Sequence, residues 1–228
     1  MKKVLLGLFA LSAVTMAAET NLYFRAGADL NGEFDVVQEE ELKVNKEDAD
    51  DFAWEIAVEA TREVYPKIEL GFGIAYQDHG APKKMNYYYT YDSDVFCDEF
   101  KMEGYTSIPL YAVAKYNFDA INNFTPYIKA NLGYSFNDEN GDLKYNEYMN
   151  SKVTYTEKYD VNIKNGLYYG IGAGFEYNNF TMDLMYQVNK ADAEITEHTW
   201  DGKENNYKKD FDYSRITLGF GYKFNLDI

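Results

Sequence analysis

Few residues in this chain of 228 are equipped for covalent chemistry. It holds two histidines, His79 and His198, and a single cysteine, Cys97. Serine-type hydrolases and acyltransferases need a base beside the nucleophile. Neither "DHGAP" around His79 nor "EHTW" around His198 matches such an arrangement, and both histidines fall in expected loops. Cys97 sits in "DVFCDEF", among carboxylates that disfavour a reactive nucleophile. One cysteine also excludes an intramolecular disulfide. The acidic runs 39–51 and 137–143 gather hard oxygen ligands, but neither has the spacing of a calcium loop and both read as solvated loops. The sequence therefore offers no catalytic, cofactor or metal site, and the chain reads as non-enzymatic.

The informative charges are those that recur at every second position. Eight segments alternate with strand period: 21–31, 52–61, 67–77, 106–117, 126–136, 166–177, 180–189 and the stretch through 217–224. One face of each is bulky and apolar, as in Ile68, Leu70, Phe72, Ile74 and Tyr76. The opposite faces carry glycine, alanine and charge. Among the charges are Arg25, Glu59, Glu69, Lys115, Lys129, Glu176, Asp183 and Lys223, four acids and four bases. Charge facing lipid is costly, and an eight-stranded barrel has an interior that side chains fill. The bulky faces are thus expected to look outward and the charged ones inward. A soluble ligand-binding barrel would have the reverse arrangement. With both termini at the short-turn rim, these eight charges should form an ion-pair network in the lumen, Lys223 and Asp183 among its members. A proton or ion pathway is the competing reading of the same residues.

The elements around these positions agree. Lys2 and Lys3, the apolar run 4–13 and small residues at 15, 17 and 18 make a secretory signal, expected over 1–18. The remainder, 19–228, is expected as one barrel domain. Connections after the second, fourth and sixth strands are short ("TREVYP", "FDAINNFT", "NN"), whereas 32–51, 78–105, 137–165 and 190–212 are long. That alternation of short turns and long loops is the pattern of an up-and-down membrane barrel. Some loop sequence itself alternates, as in 152–161, so hairpins should continue beyond the membrane. Aromatics are 18% of the chain and fall in two bands. Tyr116, Phe118, Phe124, Tyr177, Phe180, Tyr222 and Phe224 mark the short-turn rim; Phe52, Trp54, Tyr76, Phe136 and Tyr186 mark the other. A net charge of −16 argues against nucleic acid as a partner. In "MNYYYTYDSD", Tyr87, Tyr88, Tyr89 and Tyr91 are candidates for surface recognition; tyrosines stacked along an extended hairpin explain them equally well.

The segment "TLGFGYKF" resembles the C-terminal assembly signal of outer-membrane β-barrel proteins, with Thr217, Gly219, Tyr222 and Phe224 in its polar, glycine and aromatic places, followed by "NLDI". The whole mature chain is similar to the small eight-stranded class that includes OmpX, OmpW and the membrane domain of OmpA, in stretches such as "PYIKANLGYSF" and "GLYYGIGAGFEY". The resemblance implies an all-β, eight-stranded antiparallel up-and-down transmembrane barrel in the outer membrane of a Gram-negative-type bacterium. It implies no cofactor, and as partners outer-membrane lipids and the barrel-assembly machinery. A monomer with a filled, charged lumen and acidic, tyrosine-rich extracellular loops, in a structural or surface-interaction role toward a host or cell-surface ligand, is the expected form. A small pore or conduit for small hydrophobic solutes, of the OmpW type, is the alternative.

Overall fold

A strand with one bulky apolar face is stable in a bilayer only if that face meets hydrocarbon and every backbone polar group is paired. The computed structural model, which describes residues 20–37, 44–138, 141–198 and 204–226, closes eight such strands into a ring with no open edge and with their bulky rows outward. The expected signal segment 1–18 lies outside those residues, as does part of each acidic run. In chain order the strands are β1 (Thr20–Val37), β2 (Val44–Asp48), β3 (Trp54–Tyr65), β4 (Ile68–Asp78), β5 (Met85–Tyr91), β6 (Asp94–Met102), β7 (Thr106–Asn117) and β8 (Phe124–Asn137). There follow β9 (Gly141–Met149), β10 (Lys152–Ile163), β11 (Gly166–Tyr177), β12 (Phe180–Asn189), β13 (Asp192–His198), β14 (Glu204–Asp210) and β15 (Tyr213–Leu226).

β1, β3, β4, β7, β8, β11, β12 and β15 pair antiparallel in that order, and β15 returns to β1 to close an eight-stranded barrel. The apolar rows face out: Ile171 is 64% exposed and Leu132 61%, the exposure of a lipid-facing surface. On the alternate positions Glu59, Lys115, Lys129 and Asp183 are buried. β7, β11 and β12 have the expected limits, while the first, fifth and last barrel strands run longer. "TREVYP" is corrected. Most of it is strand, because β3 pairs with β4 as far as Tyr65, and the turn is only Pro66-Lys67. Phe52 lies just before β3 rather than in it.

The long connections are folded. The hairpins β5–β6, β9–β10 and β13–β14 pair side by side into a second sheet of order β14-β13-β10-β9-β6-β5. β2 pairs with the far end of β1. One irregularity redirects the chain. In β1 the register shifts between Asp29 and Asn31, so Leu30 is an extra residue and the alternation changes face beyond it. Phe34, expected in a loop, is thereby turned inward and fully buried. It stacks on Phe211 at 5.0 Å and meets Tyr213 at 4.6 Å; with Tyr105, Val161, Ile163 and Ala193 these rings form an apolar cluster at the long-loop end.

Candidate functional site: the charged lumen and the long-loop sheet

Inward side chains are stacked in layers, beginning at the short-turn rim. The eight charges expected there divide into two tetrads, each of two acids and two bases. In the lower one, Lys115 lies 3.4 Å from both Glu69 and Glu176, and Lys223 pairs with Glu176. Tyr23 donates its hydroxyl to Glu69 at 3.0 Å, and Asn117 donates to the same carboxylate at 2.7 Å. In the next layer Glu59 accepts from Lys129 at 2.7 Å, from Arg25 at 3.1 Å and from Tyr111 at 2.9 Å, while Arg25 also pairs with Asp183. Buried charges hold such positions only when paired and hydrogen-bonded. Tyr127 joins the tetrads without charge: its hydroxyl donates to Asp183 at 2.7 Å and its ring lies 4.6 Å below the Lys115 ammonium.

Lys223 and Asp183 therefore belong to different tetrads. Asp183 stands opposite Gly219, four residues from Lys223, which is about 13 Å along a strand. A lysine stem does not span that, whereas Glu176 sits near the same rim.

Above the tetrads come Tyr111 and Tyr168 with Ala57, Ala75 and Val113, then a third polar layer that the sequence reading did not assemble. Arg215 is its centre, 3.2 Å from Glu55 and 3.4 Å from Asp29, and it donates to Gln187 and Asn189 at 2.8 Å each. Gln77 donates to Glu55 at 2.9 Å. Glu55 and Arg215 carry the same inward period as the tetrads; nothing in spacing alone shows that they meet across the barrel. His79 is the other omission. It follows Gln77 by two, so the period carried one step past β4 turns it inward, and it is fully buried. Its Nε2 lies 2.7 Å from Ser107 Oγ and its Nδ1 3.4 Å from Arg215, between the rings of Tyr105 and Tyr213. A neutral ring accepting from Arg215 and donating to Ser107 satisfies both contacts. His79 lies just past the last residue of β4. Burial, and then the adjacent Arg215, hold its pKa well below the usual imidazole range. His198 lies at the end of β13.

The residues of "TLGFGYKF" divide between the two faces. Thr217 is buried and donates to Asp29 at 2.7 Å. Gly219 leaves the space in which Arg25 meets Asp183, since a Cβ there would stand 2.6 Å from the Asp183 carboxylate. Tyr222 and Phe224 face outward, 4.8 Å apart, against Phe180 and Phe24 respectively. Of the surface tyrosines, Tyr87, Tyr89 and Tyr91 share one face of β5 and Tyr88 points to the other, where Cys97 is its partner in register.

A closed eight-stranded antiparallel barrel with apolar exterior and ion-paired interior defines a class, the outer-membrane barrel proteins. The family model described as outer membrane protein beta-barrel domain matches residues 4–224, and the chain belongs to that family. It is an outer-membrane protein of the Gram-negative type. An uncharacterized protein of Pasteurella multocida strain Pm70 is 29% identical over 239 residues, covering 98% of each chain. Among solved structures the chain is similar to OprG from Pseudomonas aeruginosa, at 14% identity and a TM-score of 0.45, covering 92% of this chain and 97% of that one. It is also similar to Ail of Yersinia pestis, at 15% identity and 0.39, covering 91% and 100%.

Proposed function

We propose that this protein is a non-enzymatic outer-membrane barrel, a monomer set in outer-membrane lipid by the barrel-assembly machinery, whose lumen is filled and whose long-loop sheet faces outward for contact with other surfaces. One observation carries the reading: inward side chains meet across the barrel in successive layers, from the Lys223–Glu176 pair at one rim to the Phe34 cluster at the other. Each carboxylate of the three polar layers, from Glu69 and Glu176 through Glu59 and Asp183 to Glu55 and Asp29, has a cation beside it, which favours a closed interior over a conducting one. The polar bulk beyond the membrane is organised as a sheet rather than as separate loops, which suits a surface of defined shape.

The test compares cells carrying the full chain with cells in which 85–102 is replaced by a short Gly-Ser turn. Adhesion to host-cell monolayers should fall while the barrel remains in the outer membrane. Unchanged adhesion rejects the surface role. Planar-bilayer recording of the refolded protein tests the filled lumen. Steady single-channel conductance, or uptake of small hydrophobic solutes that depends on the protein, would instead favour the conduit reading.

A further inference from the structure

β5 pairs only with β6, so the other edge of β5 is open among the described residues. It is the seven-residue strand "MNYYYTY", without a charge to blunt that edge. Register places Tyr87, Asp98 and Glu147 in one row across β5, β6 and β9, and Met85, Phe100 and Tyr145 in another on the same face. The ring contacts agree: Tyr87 meets Phe100 at 5.9 Å, Phe100 meets Tyr145 at 5.0 Å, and Tyr145 meets Tyr155 of β10 at 6.2 Å. Further along, Tyr89 stacks on Phe96 at 5.1 Å.

The bases of these strands gather on one face, where Glu99, Asp142 and Asp160 accompany them, whereas the aromatic face holds acids with almost no base. Asp94, Asp98, Glu147 and Glu157 share the aromatic face. The lysines of β6 and β9, Lys101 and Lys144, stand opposite each other on the other face, and Lys158 of β10 continues their row. Lys152, at the tip of the β9–β10 hairpin, is the one base that register puts with the aromatics. The four carboxylates are held by neutral donors, as Tyr145 holds Asp98 at 2.9 Å and Asn150 holds Asp94 at 2.7 Å. None of the four has an ion-pair partner among the described residues.

We propose that this face, with the open edge of β5, binds an extended Lys- and Arg-rich polypeptide segment of another protein. This rests on the surface-interaction reading and names its partner class. A strand added to β5 would pair along the edge that faces away from β6. Its alternate side chains would then lie beside Tyr87, Tyr89 and Tyr91. Cations there meet aromatic faces, which attract them, and carboxylates with no cation of their own. A second copy of this chain fits poorly, because two such faces would set carboxylate against carboxylate, in chains of net charge −16.

The test uses the full protein refolded in zwitterionic micelles and a labelled peptide of alternating Lys and Thr long enough to span β5. Controls are a peptide of the same composition with its lysines in one block, and an alternating Glu-Thr peptide. The alternating Lys peptide should bind about tenfold more tightly than the block peptide, the size of one cation–π contact with one ion pair. Tyr87→Ser with Tyr89→Ser, and separately Asp98→Asn with Glu147→Gln, should each weaken it about tenfold. Tyr88→Ser, on the other face, should change it less than about twofold. Equal binding of the two Lys peptides, or equal loss from Tyr88→Ser, would reduce the interaction to general attraction and overturn the proposal. Heat-modifiable gel mobility confirms that each variant barrel is folded. Lack of any binding overturns this proposal alone, since adhesion of cells lacking 85–102 decides the surface role separately.

Discussion

Lys223 reaches Glu176, two strands away, and leaves Asp183 on the adjacent strand to Arg25. The partner follows depth in the barrel rather than nearness in strand order. Removing one member of a buried pair costs about 3–5 kcal/mol, and less at a rim where water shares the pair. Lys223→Met should therefore destabilise the barrel by about 1–3 kcal/mol, read by urea unfolding in phospholipid vesicles. Adding Glu176→Gln should recover part of the loss, and adding Asp183→Asn should deepen it by stripping Arg25 of a partner. Recovery by Asp183→Asn would place Lys223 in the other tetrad.

Backbone approach distinguishes the glycines of the lumen. A Cβ at Gly71 would stand 2.0 Å from the Ala60 carbonyl oxygen, whereas at Gly170 its nearest atom is 3.2 Å away. Backbone cannot swing aside as a side-chain end can. Gly71→Ala should cost about 1–3 kcal/mol by overpacking, and Gly170→Ala under about 0.5 kcal/mol. Equal effects in the same unfolding assay would show that β3 and β4 part easily.

Tyr222 and Phe224 are both partly exposed on the lipid face, so alanine at either should cost the finished barrel little. If they form an assembly signal, Tyr222→Ala and Phe224→Ala should sharply lower the amount of folded barrel in cells, yet refold in detergent nearly as the parent does. Parallel loss in both settings would mean that the rings act only through packing.

His79 gives the polar layer around Arg215 a pH dependence. Its folded-state pKa is depressed, so the unfolded chain binds the proton more readily and stability is lost as pH falls below the ordinary imidazole value of about 6.5. The ring faces Arg215, Ser107, Tyr105 and Tyr213, with Asp29 and Glu55 on the far side of Arg215. Below that pH, stability should decline by at most about 1.4 kcal/mol per pH unit from this group. His79→Gln should flatten that part of the profile, measured as the urea midpoint between pH 8 and pH 5. An unchanged slope would assign the effect to the carboxylates.

Period-two alternation is a backbone property, so the inward and outward faces of the eight barrel strands were legible without coordinates. Lys115 and Ile128 could be assigned to lumen and lipid from their neighbours alone. Burial of charge being expensive, equal numbers of acids and bases on the inward faces also implied pairing. What alternation does not encode is depth and register. Which acid meets which base depends on how far each strand is shifted against the next, and that is why Lys223 finds Glu176. Nor does it survive an extra residue: the bulge at Leu30 reverses the faces beyond it and brings Phe34 inside. The sheet beyond the membrane was hidden for a related reason. β6 pairs with β9, and β10 with β13, only because the barrel brings those hairpins side by side. The sequence by itself determined the barrel, its wet and greasy faces, and the eight charges within it. Their partners, the polar layer around Arg215 and His79, and the aromatic face of β5 were decided by tertiary structure, because each is made by residues that only barrel closure and strand shift bring together.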